Sequence, residues 1–145
     1  MKLLATNSSY EIETVLNNFK EELSILKTSE EYRQNMAKKF QKYGNVIYIE
    51  EENILTGFIA FYNNDIETKT AYISFIAVKK SCQKTGIGSL LLKKCEELSL
   101  MKGMIRLRLE VQMNNSNAQS FYINHGFEFE NNASENSIYM SKLLK

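Results

Sequence analysis

The sequence has no proline, a single histidine, His125, and only two cysteines, Cys82 and Cys95. The lack of proline assigns no structure by itself, and no linker, internal repeat or low-complexity tract interrupts the chain. Two cysteines are too few for a disulfide framework and lack the spacing of a zinc site, so a reducing, cytoplasmic setting fits them best and no metal is expected. An excess of one charge is also missing, since 18 basic against 17 acidic side chains leave a formal net charge of +1. That balance supplies no global field to attract nucleic acid or an anionic membrane, so neither is expected as a partner and any anion site must be local. No apolar stretch approaches the roughly 20 residues of a membrane helix. The opening Met1-Lys2-Leu3-Leu4 breaks at Thr6-Asn7-Ser8-Ser9, too early for a signal peptide.

What is present is the composition of a folded protein. With 145 residues, 43% of them hydrophobic and 24% charged, the chain suits a single domain over residues 1–145 with one core. Ser8 with Glu11 reads as a capping box, and Ile12, Val15, Leu16, Phe19 and Leu23 follow at helical spacing. Thr28 with Glu31 suggests a second helix start ahead of Tyr32, Met36 and Phe40. Val46–Ile49 and Ile54–Tyr62 are β-branched and aromatic, and Glu51-Glu52-Asn53 between them predicts a hairpin. After a turn at Asn63-Asn64-Asp65, the segment Ala71 to Val78 is nearly apolar throughout, the pattern of a central strand covered on both faces. A helix from Ser89, with Leu91, Cys95 and Leu98 as its buried stripe, can close at Gly103. Ile105, Leu107, Leu109 and Val111 then alternate with Arg106, Arg108 and Glu110, predicting a strand with one apolar and one charged face. A helix from about Ser116 and strands near Phe127 and Ile138 complete an α/β architecture with a mixed sheet.

The chemistry centres on Gln83-Lys84-Thr85-Gly86-Ile87-Gly88, which lies between the central strand and the following helix. In that arrangement backbone N–H groups and the helix N-terminus can converge on an anion, with Gly86 and Gly88 allowing positive φ and close approach. The same glycines would also serve a plain strand-to-helix turn. Two nucleotide fingerprints fail here: a Walker loop needs Lys and Ser or Thr after the last glycine, where this chain has Ser89-Leu90, and a dinucleotide loop needs a small residue at Leu91.

The loop resembles the GNAT acetyltransferase signature of Gln or Arg, two residues, Gly, one residue, then Gly or Ala. Downstream, Asn115, Ala118, Tyr122, Gly126 and Phe127 are similar to that family's second pattern in both spacing and order. The resemblance covers residues 71 to 130 well. It implies a GNAT fold, with one mixed sheet of about six to seven strands flanked by about four helices. It also implies acetyl-CoA as co-substrate, with the pantetheine arm along Ile76, Ala77 and Val78 and the pyrophosphate on Gln83, Lys84, Thr85, Gly86, Ile87, Gly88 and Ser89. Asn115 and Ala118 would border the cofactor near Tyr122, the implied general acid to the CoA thiolate. Leu109-Glu110-Val111 with Asn115 further resembles the ribosomal-protein alanine acetyltransferase branch, which makes Glu110 the candidate general base. An ammonium must lose a proton before its nitrogen can attack, and a carboxylate serves best where burial raises its basicity.

Two departures from the family stand out. Ser74 and Phe75 occupy the part of the central strand where some members carry an acidic base, and Gln83 replaces the more frequent Arg. Glu110 could instead balance Arg106 and Arg108 on its own strand face. His125 reads as a helix cap or an exposed turn, and no base is evident to activate either cysteine, so direct transfer is expected over an acyl-cysteine route. The expected function is transfer of acetyl from acetyl-CoA to a primary amine on a small molecule. The alternatives are acetylation of a protein N-terminus or lysine, and a CoA-binding regulatory module without turnover. A homodimer is compatible with each.

Overall fold

Side-chain caps set where the first helices begin. In the computed structural model, which describes residues Met1 to Lys145, Ser8 caps α1 (Ser9–Asn18) by accepting the Glu11 N–H at 3.3 Å. The reciprocal half of the capping box does not form, because the Glu11 carboxylate accepts from Thr6 Oγ1 at 2.8 Å instead. Helix α1 ends well before Leu23, and the chain passes into a 3₁₀ turn at Ser24–Lys27. The second helix starts one residue later than Thr28 suggests. Ser29 caps α2 (Glu30–Tyr43) through the Tyr32 N–H, while the Thr28 hydroxyl donates back to the Ile25 carbonyl.

Seven strands form one sheet: β1 (Lys2–Thr6), β2 (Asn45–Glu51), β3 (Ile54–Tyr62), β4 (Thr70–Val78), β5 (Arg106–Gln112), β6 (Glu128–Asn132) and β7 (Ser137–Leu143). Their spatial order is β1-β2-β3-β4-β5-β7-β6. Every neighbouring pair is antiparallel except β4 and β5, whose parallel pairing requires a crossover, here through α3 (Ile87–Met101). The expected hairpin is present, and Glu52 and Asn53 turn it with φ of 52° and 67°, the left-handed pair a two-residue hairpin loop needs. Strand β1 has no counterpart in the sequence reading, where Leu3-Leu4 is only a short apolar run. It is fixed by pairing with β2, from Lys2↔Glu50 to Thr6↔Val46.

The sheet carries a core on each face. Phe19, Phe40, Phe58 and Ala77 belong to the cluster under α1 and α2, while Ile59, Phe61, Leu91, Cys95, Leu109 and Tyr122 belong to the one under α3 and α4 (Ser116–Asn124). Strand β4 is the fourth of seven, as a central strand should be, but Tyr72, Ser74, Phe75 and Ile76 are only half-buried. Ile105 falls outside β5 and is exposed. Helix α3 stops as expected: Gly103 takes φ 84°, Met104 N–H reaches the Ser99 carbonyl and Gly103 N–H the Leu100 carbonyl. No helix is long and apolar enough to cross a membrane.

These cores hold several acids in their neutral form. Desolvation, helped by the nearby Tyr32, pushes the Tyr62 hydroxyl up to about 12, and burial also pushes up Tyr122 and the Cys95 thiol. Above the unfolded values the folded protein therefore binds more protons than the unfolded chain, so this stabilisation is complete below about pH 9 and is lost as pH rises through the folded values. The expected result is a urea midpoint that falls steadily from about pH 9 to pH 11. A midpoint constant over that range would contradict it.

Candidate functional site

The site begins at an irregularity in β4. Ala60 of β3 pairs with Phe75, but Phe61 pairs with Ile73, which leaves Ser74 as an extra residue on β4. A bulge bends the strand that carries it. On the opposite side β4 pairs with β5 only from Thr70↔Arg106 to Ile73↔Leu109, although β4 continues to Val78 and β5 to Gln112. The two parallel strands thus part at the bulge. Ile76, Ala77 and Val78 keep their β3 partners Ile59, Phe58 and Gly57 but have no strand beside them on the β5 side. Such an edge can accept an extended ligand as a further strand. One group on it is engaged, the Val78 carbonyl, which accepts from Gln83 Nε2 at 3.2 Å.

The loop after β4 turns the chain into α3. Lys79 N–H bonds the Thr56 carbonyl at 2.9 Å, a 3₁₀ turn follows at Lys80–Cys82, and the Thr85 hydroxyl donates to the Cys82 carbonyl. Lys84 and Gly86 adopt φ of 65° and 91°, and Gly86 is the N-cap of α3. The helix therefore starts at Ile87, not at Ser89. Gly88 does not take positive φ, and its lack of a side chain serves packing: a Cβ there would stand 3.2 Å from the Phe121 ring. No side chain caps α3. Its first N–H groups lack intrahelical acceptors, the arrangement that favours an anion.

Helix α4 packs against this loop. Asn115 is its N-cap, with Oδ1 accepting the Ala118 N–H at 3.1 Å, so the Asn-to-Ala spacing of the motif has a structural use of its own. At the other end Gly126 has φ 92°, Phe127 N–H bonds the Tyr122 carbonyl, and Gly126 N–H bonds the Ile123 carbonyl. This is a Schellman stop, completed by the Tyr122 and Phe127 rings at 5.5 Å. Tyr122 is buried in the same cluster as Ile87, Leu109 and Val111, and no group of the chain hydrogen-bonds its hydroxyl. Of the two sequence readings of His125, the helix cap holds, since it is the C-cap of α4, and the exposed turn does not. His125 is half-buried, with Nδ1 2.7 Å from the Phe121 carbonyl and Nε2 2.8 Å from Ser89 Oγ.

Glu110 departs from expectation in the other direction, for it is exposed where burial was expected. Leu109 and Val111 point into the core that holds Tyr122, so alternation puts Glu110 on the opposite face of β5. There its carboxylate accepts the Ser137 hydroxyl at 2.6 Å. The neighbouring arginines are engaged elsewhere. Arg108 bonds Glu130 at 2.8 Å and lies 3.7 Å from the Tyr139 ring centre, and Arg106 donates to Ser141. Glu110 itself forms no ion pair with either arginine. Its charge is felt across the strands: burial first, and then Glu110 and Tyr139, push the Tyr72 hydroxyl up.

The sequence reading missed Ser137 and Lys79. Ser137 lies 27 residues from its Glu110 partner, beyond any local signal. Lys79 ties the end of β4 to the end of α1, with Nζ 4.5 Å from the Phe19 ring, 3.5 Å from Glu22 and bonded to the Asn18 carbonyl. Cys82 has Ser81 Oγ at 3.7 Å as its side-chain partner and no base beside it.

The fold is shared with known acetyltransferases. The PaiA N-acetyltransferase of Thermoplasma acidophilum, in complex with coenzyme A, is 22% identical over 99% of both chains with a TM-score of 0.71. A ribosomal-protein alanine N-acetyltransferase from Escherichia coli is 16% identical over 99% of this chain and 95% of that one, with a TM-score of 0.78. A chimeric spermidine N-acetyltransferase from Vibrio cholerae is 18% identical over 99% and 96%, also with a TM-score of 0.78. At these identities the likeness is one of fold. No curated protein matches the sequence. The acetyltransferase (GNAT) family model matches residues 12–127, which contain the bulged strand, the Gly86 loop and α4, and the chain belongs to that family of enzymes.

Proposed function

We propose that the protein moves acetyl from acetyl-CoA to a primary amine by direct attack, acting as one acetyltransferase domain over residues 1–145. The observation that carries this reading is the parting of β4 and β5 beside the uncapped start of α3. An extended arm with an anionic end suits both features. In this reading the pantetheine arm runs along Ile76, Ala77 and Val78, and the pyrophosphate rests on the loop Gln83–Gly88 and on Ser89. Asn115 and Ala118 border the cofactor at the start of α4. Because Gln83 brings no charge, the backbone donors and the N-terminal end of α3 carry the phosphate contact, with Lys84 at the rim.

Acetyl-CoA supplies a thioester whose carbonyl carbon gains the N–C bond as its C–S bond breaks. On one side of β5 Glu110 takes the proton from the amine, directly or through water. On the other side Tyr122 gives a proton to the departing sulfur. An acceptor that arrives as an ammonium gives up two protons, one before attack and one as the amide forms. Both pass to solvent, the first through Glu110, and one replaces the proton Tyr122 gave to sulfur. The products are an amide, a free thiol and one proton in solution. The open gap between β4 and β5 is what supports putting the two groups on opposite faces. A small amine is the favoured acceptor class. The local likeness of Leu109-Glu110-Val111 and Asn115 to the ribosomal-protein branch supports a protein N-terminus as the second reading. Both cysteines are free, in keeping with the reducing, cytoplasmic setting proposed with this activity.

The test is CoA release from acetyl-CoA against a panel of amino acids, amino sugars, polyamines and peptides. At least one primary amine should support turnover, and a response confined to peptides would favour the second reading. Acetyl-CoA binding with neither acceptor turnover nor slow hydrolysis would overturn the catalytic reading in favour of a regulatory module.

A further inference from the structure

His125 joins the end of α4 to the phosphate-loop helix, and its hydrogen bonds fix what each nitrogen does. The Phe121 carbonyl can only accept, so Nδ1, at 2.7 Å, carries a proton. In the neutral ring Nε2 is then an acceptor, and the Ser89 hydroxyl, at 2.8 Å, must donate to it. Ser89 is the third residue of α3, in the turn whose free N–H groups face the loop. With its only proton given to His125, Ser89 offers an incoming anion just its lone pairs. Protonation of the ring reverses that bond: Nε2–H donates to Ser89 Oγ, the serine proton turns outward, and a positive charge stands behind it.

We propose that His125 is a positioning residue for the CoA pyrophosphate, acting through Ser89, so that cofactor binding takes up a proton onto the imidazole. The inference rests on the cofactor placement proposed above. The ring lies tilted against Phe121, with centroids 4.4 Å apart, and the Phe121 ring in turn lies against Gly88, so the imidazole's place beside the loop is set by packing as well as by hydrogen bonds. Among ionisable groups on the surrounding elements, Tyr122 is the one on α4, Lys93, Lys94, Cys95, Glu96 and Glu97 lie on α3, and Lys79, Lys80, Cys82 and Lys84 lie between β4 and α3, while Lys142 of β7 is paired with Glu96 at 3.1 Å and Lys94 with Glu97 at 3.8 Å. Both helix carboxylates are engaged by lysines, Glu96 by Lys142 and Glu97 by Lys94, so neither is left to compete with a phosphate for an imidazolium.

The sign follows directly. An anion favours the protonated ring, so affinity should rise as pH falls. The probe is CoA lacking its 3′-phosphate, because that monoester titrates in the same range while the pyrophosphate does not. Calorimetry in buffers of different ionisation heat should show uptake of a fraction of a proton near neutrality, with affinity roughly tenfold tighter at about pH 6 than at about pH 8. His125→Gln and Ser89→Ala should each remove both the proton uptake and most of the pH dependence. A role confined to packing would lower thermal stability and leave the proton uptake intact. Binding by the wild-type protein without proton uptake, or uptake that persists in folded His125→Gln or Ser89→Ala, would overturn this inference alone. Failure of the wild-type protein to bind either this probe or CoA would overturn the cofactor reading as well.

Discussion

Tyr122→Phe should lower kcat by roughly 10²-fold, about 2.7 kcal/mol of transition-state stabilisation, while leaving CoA affinity and folding stability nearly unchanged. The substitution is clean because nothing in the chain bonds the hydroxyl and the ring is held by its neighbours. Phe121 and Phe127 sit edge-on to it at 5.4 and 5.5 Å, contacts that phenylalanine keeps. Removing a hydroxyl without a protein partner leaves no unsatisfied group behind, so a loss of activity could not be ascribed to unfolding. Burial pushes the phenol far above its ordinary range, which keeps it protonated at any practical assay pH. The wild-type profile should therefore show no fall in kcat from loss of this proton up to about pH 9. Because so weak an acid cannot transfer its proton fully to a thiolate in advance, the transfer must accompany C–S cleavage, and the deficit should lie in kcat and not in cofactor binding. Wild-type turnover in Tyr122→Phe would remove the residue from that role.

Much of the frame was legible because its signals are local. Ser8, Gly103 and the two-residue turn at Glu52-Asn53 act within a few residues of the structure they specify. Every position of the downstream motif also has a part in local mechanics. Asn115 caps α4 three residues before Ala118, and Tyr122 with Gly126 and Phe127 forms a Schellman stop, so the spacing that identifies the family is partly the spacing of a helix that starts and ends correctly. The motif positions thus fix where Tyr122 sits, whatever its chemistry.

What was not legible depends on contacts between distant segments. Ser74 is a bulge because β3 and β4 settle into different registers on either side of it, and no residue of β4 announces that. The parting of β4 from β5 follows from this bend, so the nearly apolar run from Ala71 to Val78 reads as a fully enclosed strand when one edge is open. Gly88 looks like a residue chosen for positive φ, yet its conformation is helical and the constraint is the Phe121 ring more than thirty positions away. His125 and Ser89 are likewise joined only by the docking of α4 on the start of α3. Strand β1 is too short to show alternation and exists because β2 offers an edge.

The surroundings of Glu110 change what its substitution should reveal. Had it been buried, Glu110→Gln would test a desolvated base and would also disturb the fold. Because it is exposed and free of ion pairs, the neutral isostere should fold normally and bind CoA as before. Turnover should nonetheless fall by roughly 10² near neutral pH, since an ammonium acceptor then has only solvent to take its proton. The deficit should shrink as pH rises toward the acceptor's own pKa, where the free amine is already abundant. The Ser137 hydroxyl, at 2.6 Å, lowers the carboxylate's freedom to rotate and supplies it with a charge-assisted hydrogen bond. Ser137→Ala should consequently cost less than Glu110→Gln and leave the shape of the pH profile intact, because the base is still present though less well aimed. A Glu110→Gln enzyme with wild-type turnover and an unaltered pH profile would take the proton away from this carboxylate and assign it to water entering between β4 and β5.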